Sequence, residues 1–275
     1  MQRIHLYQLG PRAYQLSRKK EIFKRNFQDR LHHTQFAETY SDSLLPHVIN
    51  RHNSLIRRKL GDVDQQLQEN KAVNLALAAP KLNKILIRPN ETFSFWHLVG
   101  ECTTEKGYQE GLTISGNHPS SGIGGGMCQM TNLIHWMILH SSLTITEHHH
   151  HGRIDLFPDF GRQVPFGTGT SIVYNYLDYR VTNNTLDTFQ LIITTDDRYL
   201  RGELRADHPQ PLKFHVYEQD SWFSWEADGA YRHNIVRLKA INKDSGLVAF
   251  DRELITNHAK VMYDPQYIDP TLFRQ

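Results

Sequence analysis

The residues of this 275-residue chain best suited to chemistry are one cysteine and one run of histidines. Cys128 follows Gly124-Gly125-Gly126-Met127 and precedes Gln129. Glycines let a backbone turn tightly and let a ligand come close, so Gly124, Gly125 and Gly126 are candidate binding residues. A cysteine in the first turn of a helix meets free N–H groups and the positive end of the helix dipole, which favour the thiolate. Those N–H groups, with the Gln129 amide beside them, also suit a developing oxyanion. The plainer reading makes Cys128 a small buried hydrophobe and the glycines a turn. Spacing alone leaves both open.

Glu147-His148-His149-His150-His151 is the second feature. On an extended strand, 149 and 151 share one face while 148 and 150 share the other. One imidazole facing Cys128 would act as its general base and imidazolium partner. Two on one face, with the thiolate, would instead ligate a metal. A single cysteine near the histidines is a thin ligand set, so no cofactor and no tightly bound zinc are expected. A solvated surface run accounts for at least two of the four. His135 lies seven residues beyond Cys128 on nearly the same helix face. The helical rise puts it about 10 Å away, too far for a direct pair. Cys102 is expected to be the less reactive thiol, because the adjacent Glu101 carboxylate raises its pKa.

The elements that must position these groups follow from periodicity. Residues 127–139 carry apolar side chains at 130, 133, 134 and 137, the spacing of a buried helix. Helices are also predicted over 13–35, 44–60 and 70–82, with Tyr40-Ser41-Asp42-Ser43 starting the second and Pro80 ending the third early. Residues 85–87 and 92–96 are strand-like, separated by a turn at 88–91. Residues 113–126 look loop-rich. Short strands are predicted at 143–147, 171–182, 188–195, 199–205, 213–218, 222–225, 234–240 and 247–250, with turns at Asn183-Asn184-Thr185 and Asp196-Asp197. The order is an α+β fold: N-terminal helices, a central buried helix carrying Cys128, and a mainly antiparallel sheet. Residues 1–65 form a basic helical N-terminal segment, and 66–275 an α+β domain with a strand-rich C-terminal extension.

Hydrophobic residues make up 39% of the chain and charged residues 22%, which fits a folded protein rather than a disordered one. The net charge of +2 points to no nucleic-acid partner. Its distribution is uneven, with eight Lys or Arg in residues 1–30 against Glu21 and Asp29. Such a segment is either a solvated helix face or a contact with an anionic membrane surface, nucleic acid or an acidic partner; a peripheral membrane contact is the one retained. No apolar run is long enough to span a bilayer, and the first 30 residues lack an apolar h-region, so no secretory signal is expected in them. Two cysteines make no disulfide framework. The expectation is a cytoplasmic protein with free thiols.

The chain also resembles the VanW-like family. The resemblance rests on Pro89-Asn90-Glu91-Thr92-Phe93-Ser94-Phe95, Gly107-Tyr108, Gly124-Gly125-Gly126-Met127-Cys128-Gln129, Glu147-His148-His149-His150-His151 and Asn183-Asn184-Thr185, in that order, over residues 70–206. It places the family histidines on His149 and His151. It also exposes a departure, because Gly169 stands where the family pattern has aspartate. Glu147, Asp155 and Asp159 are the carboxylates that could replace it. The resemblance implies a link to glycopeptide resistance and the bacterial cell wall, with a cell-wall peptide or precursor as partner. A helix-start cysteine followed by histidine on a strand is also the layout of transglutaminase-like and papain-like enzymes, an analogy only. Two readings follow: a thiol-dependent amide hydrolase or acyl transferase using Cys128, His149 and His151, or a non-catalytic module that binds a cell-wall peptide.

Overall fold

The computed structural model describes residues 10–58, 64–115, 118–150, 153–159 and 161–274. Its elements are α1 (Pro11–Leu31), β1 (His47–Leu55), α2 (Gln65–Leu82), β2 (Ile85–Ile87), β3 (Thr92–Ser94), α3 (Phe95–Val99), β4 (Glu110–Ser115), β5 (His118–Ile123), α4 (Cys128–Ile138), β6 (Thr144–Glu147), β7 (Ile154–Asp155), β8 (Arg180–Thr182), β9 (Phe189–Thr195), β10 (Tyr199–Ala206), β11 (Leu212–Glu226), β12 (Gly229–Asn242) and β13 (Val248–Val261). The architecture is α+β with mainly antiparallel sheets.

The central sheet has the order β1-β10-β9-β2. Helix α4 lies across β1 and β10, close enough that a Cβ on Gly202 would sit 2.4 Å from Leu133 Cδ2. The apolar residues of α4 at the expected positions, Met130, Leu133, Ile134 and Met137, are buried with Leu75 and Leu82 of α2 and Phe189 and Leu191 of β9. Asp64 caps α2 by accepting from the Gln66 N–H. Pro80 does not cut that helix short, which runs on to Leu82.

A second sheet, β3-β8-β6, carries the start of the histidine run at its β6 edge. The C-terminal sheet is β11-β12-β13-β7, in which β7 joins parallel to β13. A buried ion cluster fixes that junction. Arg232 lies 3.3 Å from Asp155 and 2.5 Å from Asp159, and the Tyr263 hydroxyl donates to Asp155.

Four expectations are corrected. The helix predicted over 44–60 is the strand β1, paired with β10 from His47↔Ala206 to Leu55↔Tyr199. Asn50 and Asn53 are weak helix formers, and the pairing with β10 decides. The supposed loop over 113–126 is mostly the β4-β5 hairpin. Strand pairing over 171–182 is confined to 180–182, with a turn before it in which Asn175 has a φ of 44°. The segments 213–218 and 222–225 are one strand interrupted by a bulge between Glu218 and Asp220.

Candidate functional site

Cys128 is the first residue of α4, as the glycine run and the helical periodicity predict. The three glycines before it approach their own chain. A Cβ on Gly124 would meet Cys102 Cβ at 2.4 Å, one on Gly125 would meet the Gly111 carbonyl oxygen at 2.1 Å, and one on Gly126 would meet Lys71 Cγ at 2.3 Å. Gly124 and Gly126 also have φ values of 74° and 91°, which disfavour any side chain. The turn is therefore closely packed against α2, β4 and Cys102. Gln129 is occupied as well, since its amide donates to Ser54 Oγ and the Leu55 carbonyl at 2.8 Å each.

Burial pushes the Cys128 thiol up, and the backbone N–H groups of Ile172 and of Cys128 itself offset this only in part. The direction is opposite to the one expected from the helix N-terminus: although Cys128 is part-exposed as a residue, desolvation of its thiol outweighs those N–H groups. Cys102 is pushed up too, by burial, against a bond from Tyr108. Among the described residues no histidine bonds to the Cys128 sulfur.

The histidines are engaged elsewhere. His148 stacks on His135 with ring centroids 4.2 Å apart and shares a 2.9 Å hydrogen bond with the Gly169 carbonyl. His150 stacks on His148 with ring centroids 5.8 Å apart. His135, deeply buried in α4, bonds through Nδ1 to the Tyr179 hydroxyl at 3.1 Å. Burial lowers the pKa of all three, helped at His135 and His148 by their imidazole neighbours, so they are neutral at neutral pH. His149 faces another way and bonds Glu147 at 2.9 Å. His151 lies outside the described residues.

Glu147 is the carboxylate that meets a histidine, whereas Asp155 and Asp159 serve Arg232. Burial alone would raise its pKa. Bonds from Arg25, the Asp178 N–H and His149 outweigh that and hold it at about 2. Gly169 has room for a side chain, since a Cβ there would lie 3.6 Å from Asn132 Oδ1 in ordinary contact.

The stacked histidines border a cleft of about 750 Å³ between the α4-β6 layer and the C-terminal sheet. Ile138, Leu143 and Ile145 line one wall; Phe214, Leu238, Phe250 and Leu254 line the other. Polar groups are few: Ser141, Ser142, Thr144, Thr168 and Arg252. Arg252 lies over the Phe250 ring at 5.2 Å and joins no ion pair among the described residues. Cys128 does not line this cleft.

Two side chains escaped the sequence reading. His135 was set aside as too far from Cys128, yet it completes the imidazole stack. Lys71, buried beside Gly126, looks in sequence like one more polar residue of an amphipathic helix. Burial lowers its pKa to about 7, with Arg58 and Arg57 adding to the effect. Its ammonium donates to Gln68 Oε1 at 2.7 Å. For metals, Glu226, His233 and His258 on the C-terminal sheet bring one ligand atom each within 4.8 Å of one another, and Asp187, Asp207 and His208 do the same.

The glycine-turn cysteine that opens α4 and the Glu-His run that leaves the neighbouring sheet both lie within residues 70–205 of this α+β chain. The model described as VanW like protein matches residues 70–205. The chain is 32% identical to the vancomycin B-type resistance protein VanW of Enterococcus faecalis, covering 85% of each protein. It therefore belongs to the VanW-like family. It is also 31% identical over 110 residues to the uncharacterized protein YoaR of Bacillus subtilis, covering 40% of this chain and 34% of that one. No solved structure matches it.

Proposed function

We propose that this protein acts in glycopeptide resistance by binding a cell-wall peptide or its precursor, without thiol chemistry, in the cleft beside the stacked histidines. The link to resistance comes from the name of the enterococcal relative. The observation that carries the binding reading is the separation of the two features. His148 and His150 border a 750 Å³ cleft, while Cys128 lies outside it with a thiol that burial pushes up.

The lining suits a peptide with small alkyl side chains. The apolar walls accept methyl groups, and the Ser142 hydroxyl offers hydrogen bonds to amides, while Thr168 Oγ1, which donates to the Pro165 carbonyl, can accept one. Arg252 offers a flat cation that no carboxylate of the described chain occupies, and a peptide carboxylate takes a bidentate pair from such a group. Neutral imidazoles at the cleft edge both donate and accept.

The test is titration of the full chain with a synthetic cell-wall stem peptide, followed by calorimetry and by mass spectrometry of the peptide. Saturable binding with the peptide intact is expected. Cys128→Ala leaves binding unchanged, and Arg252→Ala weakens it at least about tenfold, as loss of a central anchor does. Cleavage or transfer of the peptide by the wild type and not by Cys128→Ala would restore the thiol-dependent reading and overturn this one.

A further inference from the structure

We infer that the outer face of α1 docks on an anionic membrane surface, with its phenylalanines in the interface and its lysines against lipid phosphates. The inference stands on α1 alone and does not depend on what the cleft binds.

The inner face of α1 is fixed to the domain. Arg18 pairs with Glu101 at 2.8 Å and Arg25 with Glu147 at 2.7 Å. Asp29 takes two bonds from Arg180, at 2.6 and 2.9 Å. These contacts recur every seven and then four residues, so they lie on one side of the helix. The opposite side is thereby held outward.

That outward side carries large apolar groups in the open. Leu16, Phe23, Phe27 and Leu31 are 63%, 73%, 59% and 63% exposed. Their spacing of seven, four and four residues also makes one stripe. Single exposed apolar residues are ordinary, but an aligned row of four marks an interaction surface.

Charge decides the partner. Lys19 and Arg30 are exposed along one margin of the stripe and Lys24 along the other, Lys20 is exposed within it, and none of the four joins an ion pair among the described residues. The acids of α1 are elsewhere: Glu21 is part-buried and Asp29 is held by Arg180. A helix with Phe and Leu along one line and Lys or Arg beside it, with no acid between, is built for the headgroup region of an anionic bilayer. No helix among the described residues is long and apolar enough to cross a membrane, so the contact is with its surface.

The test is sedimentation of the full chain with sucrose-loaded vesicles of phosphatidylcholine, with and without phosphatidylglycerol. Partition into the anionic vesicles is expected, with release at high salt. Phe23→Ser with Phe27→Ser lowers partition at least about tenfold by removing inserted rings. Lys19→Gln with Lys20→Gln and Lys24→Gln lowers it about a hundredfold. Leu186→Ser, which removes a 94% exposed leucine outside α1, leaves it unchanged. Thermal melting checks that each variant is folded, and the lysine variant keeps the test decisive if the phenylalanine pair fails to fold. No partition, or equal partition into neutral vesicles, overturns the inference. So does a wild-type dimer that the phenylalanine variant dissociates, since a second copy would then cover the stripe.

Discussion

The two ends of α4 reach different states. At the N-terminal end, Cys128 follows a glycine turn whose every Cβ position is filled by neighbouring chain. At the other end, His135 stacks on His148, and His150 extends the stack along an open cleft. A helix start favours a thiolate only where desolvation does not exceed the dipole and N–H contribution. Around Cys128 desolvation is the larger effect. The histidine end keeps its polar groups bordering a cleft with hydroxyls and with Arg252, which joins no ion pair among the described residues, so a ligand has something to meet there. Position on a helix thus tells less than what surrounds that position.

The sharpest way to break this contrast is to crowd the glycine turn. Gly126→Ala combines a φ of 91° with a Cβ only 2.3 Å from Lys71 Cγ. A loss of about 3 kcal/mol or more is expected in denaturant unfolding, from backbone strain and overpacking together. A loss below about 1 kcal/mol would mean the turn has space for a ligand after all.

A smaller effect probes the histidine end by pH. His135, His148 and His150 have native pKa values below the ordinary 6.5. As pH falls below 6.5 the unfolded chain takes up protons that the native stack refuses, so stability declines from there down toward the native values. Glu147 does not interfere, since its stabilising contribution is lost only between the usual carboxylate range and about 2. His52, His140 and His233 are also lowered and add to the slope. The check is a difference: His148→Asn with His150→Asn should flatten the decline between neutral pH and pH 5.5 by about 1 kcal/mol. An unchanged slope would show that the stack does not exclude protons.

Much of this arrangement is legible in the sequence, but unevenly. Helix α4 and its buried residues follow from apolar positions 130, 133, 134 and 137, because packing and period agree there. Strands β9 and β10 follow from alternation and the Asp196-Asp197 turn between them. β1 is missed because Val48, Ile49, Leu55 and Ile56 also fit a helical spacing, and only pairing with β10, distant in sequence, decides. The β4-β5 hairpin is missed because Gly122 and the glycines after it read as loop, although Gly122 faces Gly111 across the ladder. At the site, the position of Cys128 is legible and its solvation is not. The partnership of His135 with His148 joins α4 to the strand edge, and no local pattern encodes it. Glu147 was one of three carboxylates weighed for the missing aspartate, and only geometry singles it out.

The most direct test of the central claim is the pH–rate profile of Cys128 alkylation by iodoacetamide in the folded protein, read peptide by peptide by mass spectrometry. Because burial raises this thiol, Cys128 should label more slowly at neutral pH than it does in the unfolded chain. Its rate should rise only above the ordinary thiol range near about 8.5. Labelling faster than the unfolded chain, with a plateau already reached below neutral pH, would mean a stabilised thiolate and would contradict the account.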